Sequence, residues 1–299
     1  MKPKFHNIPS FLGTVHFAGA FTFGNRPHLE IWGGKILIRA ACCVIAAMVS
    51  LMAAGVCAQN IQPIYSFPQS PATPFAGLVA GLDGNFYGTT WSGGSNGVGV
   101  VIKITPSGAW STVYSFSPPV TNRGEFFTNP DGGQPWAALA LGSDGNFYGT
   151  TWNGGNDGNG TVFKVTTNGA LTTLVRFAGT NGANPEAGLT LGPDGNFYGT
   201  TSTGGTNGSG TVFQVTTNGV LTTLHSFTTG SYDAANGYCT NSDGQAPEAT
   251  LTLGTNGNFY GTCSAGGSGD SGTLFEVTTN GTLTTIYTFN RSIPLSDQP

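Results

Sequence analysis

The sequence predicts an all-β protein of four tandem, four-stranded antiparallel repeats, β-propeller-like, with four blades in a closed ring or an open arc. Three observations carry that prediction. The phrase "DGNFYGTT" stands at 83–90 and returns unbroken at 144–151 and 194–201, with a worn copy, "NGNFYGTC", at 256–263. Each copy lies among short runs of strand formers fenced by turn dipeptides. The tyrosines Tyr87, Tyr148, Tyr198 and Tyr260 are spaced by 61, 50 and 62 residues, a repeat of about 50 residues with an insertion of about a dozen in two of the gaps.

In chain order, residues 1–58 are expected to be an N-terminal extension and signal peptide, with no fold over 1–34. Lys35 and Arg39 bracket a basic stretch, the apolar run "AACCVIAAMVSLMAAGV" (40–56) follows, and Val56 and Ala58 are small residues suited to cleavage near Ala58. Two rival readings are an uncleaved membrane anchor and a lipidated Cys57. The expected location is secreted or cell-surface, with membrane contact only through an uncleaved leader.

Residues 59–290 form the repeat domain, with repeats at about 68–116, 129–177, 180–227 and 242–289, and 291–299 is a short tail. Each repeat opens with Pro-x-Ala-x-Leu and a short apolar run, loosely so in the first, from Pro74. The phrase is the second strand. A Gly-rich link leads to the third, "GTVFKVTTNG" (160–169) and its sisters, and "LTTLVRF" (171–177) is the fourth. The "DG" and "NG" turns call for tight antiparallel hairpins. In the phrase, Phe147 and Tyr148 fall on opposite faces, so both faces of each sheet must be covered. A parallel β-solenoid is the rival architecture, disfavoured by those hairpins. "PIYSF" (63–67) matches a fourth strand ahead of the first repeat.

The stretch "GLTLGPDGNFYGTTSTGGTNGSGTVFQVTTNGVLTTLHSF" (188–227), with its sisters at 77–116, 138–177 and 250–289, resembles the GloVer tandem repeat of exported bacterial choice-of-anchor proteins. The resemblance covers roughly 63–290. It implies export and, commonly, a C-terminal sorting tail, and it implies no known activity and no catalytic residues. After Phe289 only "NRSIPLSDQP" follows, so the expectation is free secretion or a truncated frame.

Composition narrows the function. Residues 59–299 hold five basic side chains against thirteen acidic ones, which offers no basic stripe to phosphates and argues against nucleic acid. His225 is the only histidine there, in a strand position held elsewhere by Tyr114, Val175 and Tyr287, and reads as a core residue rather than a triad member. Glu186 and Glu248 share the position of Phe75 and Trp136 and read as solvated loop carboxylates multiplied by duplication. Asp83, Asp144 and Asp194 set turn geometry. "GGSGDSGTLF" (266–275) is a single faint calcium-like stretch; no other metal and no cofactor is expected.

Trp91 and Trp152 close the phrase in the first two repeats, where Ser202 and Ser264 stand in the others. Such a tryptophan either stacks on a sugar or plugs the gap between repeats, and the plug is favoured. The insertions 117–134 and 228–246 differ from each other and are the expected binding loops, through Phe126, Phe127, Tyr232, Tyr238 and the pair Arg123/Glu125. Cys239 and Cys263 are a disulfide candidate. The leading expectation is a non-enzymatic binding or surface structural module for extracellular polysaccharide or protein. The alternatives are a propeller lyase or glycosidase using loop carboxylates, and a fragment of a longer anchored repeat protein.

Overall fold

A computed structural model describes residues 31–32, 35–36, 73–123, 126–233 and 238–290, excepting the side chains of 31–36, 121–126 and 233–239. The apolar run 40–56, Cys57, the cleavage site near Ala58, the strand expected at 63–67 and the tail 291–299 lie outside the described residues. The chain forms two compact units, 1–62 and 63–299. In the first, β1 (Ile31–Trp32) pairs antiparallel with β2 (Lys35–Ile36), a short ladder where the sequence suggested no fold.

The second unit is all-β, with no helix among the described residues. The first four-stranded sheet is β3 (Val79–Ala80), β4 (Phe86–Thr90), β5 (Val100–Ile104) and β6 (Trp110–Ser115). Next come β7 (Thr121–Arg123) and β8 (Phe126–Gly133) of the first insertion. The second sheet is β9 (Ala140–Leu141), β10 (Phe147–Thr151), β12 (Thr161–Val165) and β13 (Leu171–Arg176); β11 (Asn153–Gly155) leaves it to pair with β8. The third is β14 (Thr190–Leu191), β15 (Phe197–Thr201), β16 (Thr211–Val215) and β17 (Leu221–Ser226). The second insertion is the hairpin β18 (Ser231–Asp233) and β19 (Tyr238–Thr240). The fourth sheet is β20 (Thr252–Leu253), β21 (Phe259–Cys263), β22 (Asp270–Val277) and β23 (Leu283–Asn290). Within each four-stranded sheet, spatial order follows chain order and all neighbours are antiparallel. This is the four-part repeat expected from the turns.

The phrase explains itself locally. Gly142 N–H donates to Asn146 O at 2.8 Å across the tight turn, and Gly145 sits at φ 76°, where a side chain is strained. Asp144 caps that turn by accepting Asn146 N–H at 3.1 Å. Its other oxygen accepts Tyr148 Oη–H at 2.9 Å and faces Lys164 Nζ at 3.0 Å. Burial works to raise the Asp144 pKa, but the bonds from Asn146 and Lys164 outweigh it and hold the carboxyl well below its usual range. Gly149 lies opposite Phe163, and a Cβ there would come within 2.5 Å of that ring. The glycine is thus a slot for a ring of its own sheet.

The worn copy keeps the same hub with the charges moved. Asp83 and Asp144 face Lys103 and Lys164, while Asp194 accepts Gln214 Nε2–H at 3.0 Å. In the fourth repeat Asn256 replaces the aspartate, and Glu276 on the neighbouring strand supplies the carboxylate, accepting Asn256 Nδ2–H at 2.9 Å and Tyr260 Oη–H at 3.0 Å. One carboxylate per hub is kept from either side.

The two aromatic faces of the phrase strand bind the sheets together. Tyr87 packs on Phe147, Tyr148 on Phe197 and Tyr198 on Phe259, with ring centroids 4.2, 4.1 and 4.0 Å apart. Farther out, Phe116 meets Phe163, Phe177 meets Phe213 and Phe227 meets Phe275, each at 5.3 Å. These rings are fully buried, and each contributes about 1.5–3 kcal/mol by leaving water. The core therefore lies between sheets, one apolar cluster per junction.

Candidate functional site

At one edge of the sheets the repeats converge through a shared backbone bond. The residue closing each phrase strand donates its N–H to the carbonyl before the repeat's proline: Trp91 to Thr73 (2.9 Å), Trp152 to Gln134 (3.2 Å), Ser202 to Asn184 (3.2 Å) and Ser264 to Ala246 (3.1 Å). Gln134, Asn184 and Ala246 adopt φ of 55°, 54° and 51° to make it. A residue before proline is ordinarily extended, and a left-handed non-glycine costs about 1–2 kcal/mol. The bond and the turn hold the side chains after the proline, Phe75, Trp136, Glu186 and Glu248, beside those that close the phrase.

Half of this edge is aromatic. Phe75 and Trp136 stack 4.7 Å apart at 14°, and they are 54% and 40% exposed. Trp91 stands edge-on to both, 6.5 Å from each, with its indole Nε1 buried and lacking a partner among the described residues. The other half is acidic. Glu186 accepts Ser202 Oγ–H at 3.0 Å and a bond from the Trp152 indole, and Glu248 accepts Ser264 Oγ–H at 3.2 Å. Burial, and then the Glu248 charge, push the Glu186 carboxyl above its ordinary range. Glu186 is thus a half-buried, hydrogen-bonded group, not the solvated loop carboxylate the sequence suggested; Glu248 is exposed.

The insertions end on one device used twice. Asn129 Nδ2–H donates to Ser117 O and Gly132 O, and Gly132 N–H donates back to Asn129 Oδ1. Asn241 does the same with Thr228 O and Gly244. Asp131 accepts Tyr114 Oη–H at 2.6 Å and Ser117 N–H at 3.0 Å. Asp243 meets His225 Nε2 at 2.9 Å and accepts Thr228 N–H at 3.0 Å and the Thr228 hydroxyl. Burial raises the Tyr114 phenol, with Asp131 adding to it, to about 12. Desolvation opposes ionisation of Asp243, yet the bonds from His225 and Thr228 win and lower it. The insertions, read as unrelated to each other, therefore share an Asn-x-Asp-Gly clasp. His225 is partly exposed and bonded to that clasp, not a core residue; no hydroxyl is placed on it for triad chemistry among the described residues.

The sequence-predicted site residues scatter. Phe127 is 7% exposed and belongs to the core between the first two sheets, so it is not a ligand contact. Tyr232 is 68% exposed on the β18–β19 hairpin. The side chains of Arg123, Glu125, Phe126, Tyr238 and Cys239 lie outside the described residues. Cys263 is a free, buried thiol, pushed up to about 12 by burial. Asp270, in the calcium-like stretch, accepts Gly266 N–H at 3.1 Å. Trp91 meets Trp136 of the next repeat edge-on, and the Trp152 indole bonds Glu186 of the next. The open rings are Phe75 and Trp136, which the sequence reading used only as counterparts of the glutamates. Their shared place after the proline was the available signal.

The Gloeobacter/Verrucomicrobia repeat family matches the chain over residues 55–238 and 120–297. No curated protein matches it. Among solved structures, a protein assigned as a gluconolactonase is 15% identical, covering 70% of this chain and 61% of its own, with a TM-score of 0.40. One from Bacteroides uniformis assigned as a 6-phosphogluconolactonase is 16% identical, with 75% and 59% covered and a TM-score of 0.43. An α-L-arabinofuranosidase from Clostridium thermocellum is 14% identical, with 73% and 74% covered and a TM-score of 0.39. The chain thus spans about three fifths of the length of the first two.

Proposed function

The chain belongs to the Gloeobacter/Verrucomicrobia repeat family, and from that premise we propose that it is an exported, non-enzymatic binding module whose sheets act as the blades of a propeller-like arc. Its ligand is an extracellular polysaccharide, held at the converging edge. One observation carries this reading: Phe75 and Trp136 present stacked, solvent-facing rings beside hydrogen-bond acceptors. A sugar ring has flat apolar faces and a rim of hydroxyls. Aromatic surface takes the faces, and Glu186, Glu248, Ser202 and Ser264 take hydroxyls. The signal-like leader supports export, and the acidic body supports neutral rather than anionic chains, since uronates would meet two carboxylates.

A second reading rests on Glu186, whose raised pKa beside a second carboxylate suits an acid catalyst. A panel of neutral polysaccharides, tested by affinity electrophoresis for retention and by reducing-end release for cleavage, separates the two. Binding without cleavage, weakened at least tenfold by Trp136→Ala or Phe75→Ala, supports the module. Cleavage abolished by Glu186→Gln replaces it with the enzyme. No retention on any polysaccharide removes the sugar ligand and leaves protein partners.

A further inference from the structure

The junctions between sheets share their main parts, although the third lacks the threonine bond of the other two, the Thr200 hydroxyl being buried without a partner among the described residues. Besides the stacked tyrosine and phenylalanine, a proline of the following repeat lies over a glycine of the preceding one. A Cβ at Gly99, Gly160 or Gly210 would come within 2.7 Å of Pro135, Pro185 or Pro247 Cδ. Thr89 and Thr150 also donate to Ala137 O and Ala187 O, at 2.8 and 2.9 Å.

The fourth sheet presents one half of a further junction. Tyr260 is half-buried where its three counterparts are fully buried, and it has no ring partner among the described residues. Thr262 is exposed where Thr89, Thr150 and Thr200 are buried. Phe289 is 45% exposed where Phe116, Phe177 and Phe227 are sealed. The glycine equivalent to Gly210, Gly272, has only Cys263 and Ser264 atoms nearest its Cβ position, and no proline among the described residues.

The first sheet presents the other half. Pro74 is exposed where Pro135, Pro185 and Pro247 are buried. Leu78 is 49% exposed where Leu139, Leu189 and Leu251 are buried. Phe86 is only half-buried where Phe147, Phe197 and Phe259 are sealed. Among the described residues, the first and fourth sheets do not complete such a junction with each other, as Gly272 without a proline and the exposed Thr262 attest.

We infer that the chain associates head to tail with a second copy of itself. Gly272, Thr262 and Tyr260 of one copy receive Pro74, the Ala76 carbonyl and Phe86 of the other, in the register of the three internal junctions. Val100, Ile102 and Ile104 are already buried in the single chain, with Phe86 packed against them, so the contact uses what this sheet leaves open: Pro74, Leu78 and the half-buried Phe86. Such an interface is heterologous, and it either closes or propagates. Two copies closing on each other would make a ring of eight sheets, the upper end of the roughly four to eight blades of closed propellers.

The test is sedimentation equilibrium of the full chain across a wide dilution series. The expected result is a mass that rises with concentration to two copies or more, and association at least tenfold weaker in Leu78→Glu and in Tyr260→Ala. Leu78 is exposed, so its variant keeps the fold, checked by circular dichroism. In a Cys239→Ser background, Ala76→Cys protein is mixed with Thr262→Cys protein under mild oxidation, and a disulfide-linked pair containing one of each is expected. A single-copy mass at every concentration overturns the inference. So does an internal disulfide in a chain carrying both Ala76→Cys and Thr262→Cys, which would mean that one chain closes its own ring.

Discussion

Truncating the same tyrosine in two repeats separates a covered sheet face from an open one. Tyr198 is fully buried, lies 4.0 Å from the Phe259 ring and donates its hydroxyl to Asp194 at 2.8 Å. Removing a ring from such a site leaves a cavity the neighbours cannot fill, and Tyr198→Ala should cost about 3–5 kcal/mol. Tyr260 holds the same place in the fourth repeat, half-buried and with its hydroxyl on Glu276. With less burial to lose and no sealed cavity to leave, Tyr260→Ala should cost about 1–2 kcal/mol. The gap of about 2–3 kcal/mol corresponds to roughly 4–12 °C in Tm for a domain of this size. Both variants are melted by calorimetry at a dilution where single chains prevail, with Tyr148→Ala as a second covered control. Equal losses at Tyr198 and Tyr260 would refute the reasoning, because the fourth face would then be as well covered as the third.

Three further outcomes follow from the hubs and junctions. Asn256→Asp places a second carboxylate against Glu276 and should lower Tm; adding Glu276→Lys recreates the arrangement of Asp144 with Lys164 and should recover it, and a harmless single variant would contradict the hub. Asp83, Asp144, Asp194, Asp243 and Glu276 are all lowered in the folded chain. Their contribution is complete above the ordinary carboxylate range near pH ~4 and is lost as pH falls through the folded values. Tm should hold from about pH 8 to 5 and drop below about pH 4, and a decline already at pH 6 would point to other groups. Gly160→Ala would bring a Cβ to 2.3 Å from Thr151 O at φ 89° and should cost more than about 3 kcal/mol. Gly84→Ala, at φ 76° with open space around it, should cost only about 1–2 kcal/mol by urea denaturation.

Much of the fold was legible because its signals are local. A turn glycine and the residues of one hairpin lie within ten positions, and alternation along five residues places Phe147 and Tyr148 on opposite faces. What escaped depends on residues far apart. The exchange of Asp for Asn at 256 makes sense only with Glu276, twenty positions on and one strand over. The clasp of the insertions joins Asp131 to Tyr114 and Asp243 to His225 across seventeen and eighteen positions, with different partners each time. Phe127 sits in a loop by composition, and only the pairing of β8 with β11 carries it into the core.

The converging edge was hidden for a different reason. The bond that shapes the edge runs from backbone to backbone, so it constrains neither side chain. Gln134, Asn184 and Ala246 share one strained conformation despite having nothing in common as residues. The strain is therefore imposed by the N–H donated across the strand end and by the proline locked over the glycine of the preceding repeat. With geometry held that way, the neighbouring positions are free to carry Phe, Trp or Glu, and Trp or Ser, without cost to the junctions. Residues that build the junctions repeat and are conspicuous; side chains at the converging edge are released from repetition. In this chain the release runs from rings in the first two repeats to carboxylates in the last two, a single edge graded from apolar to acidic.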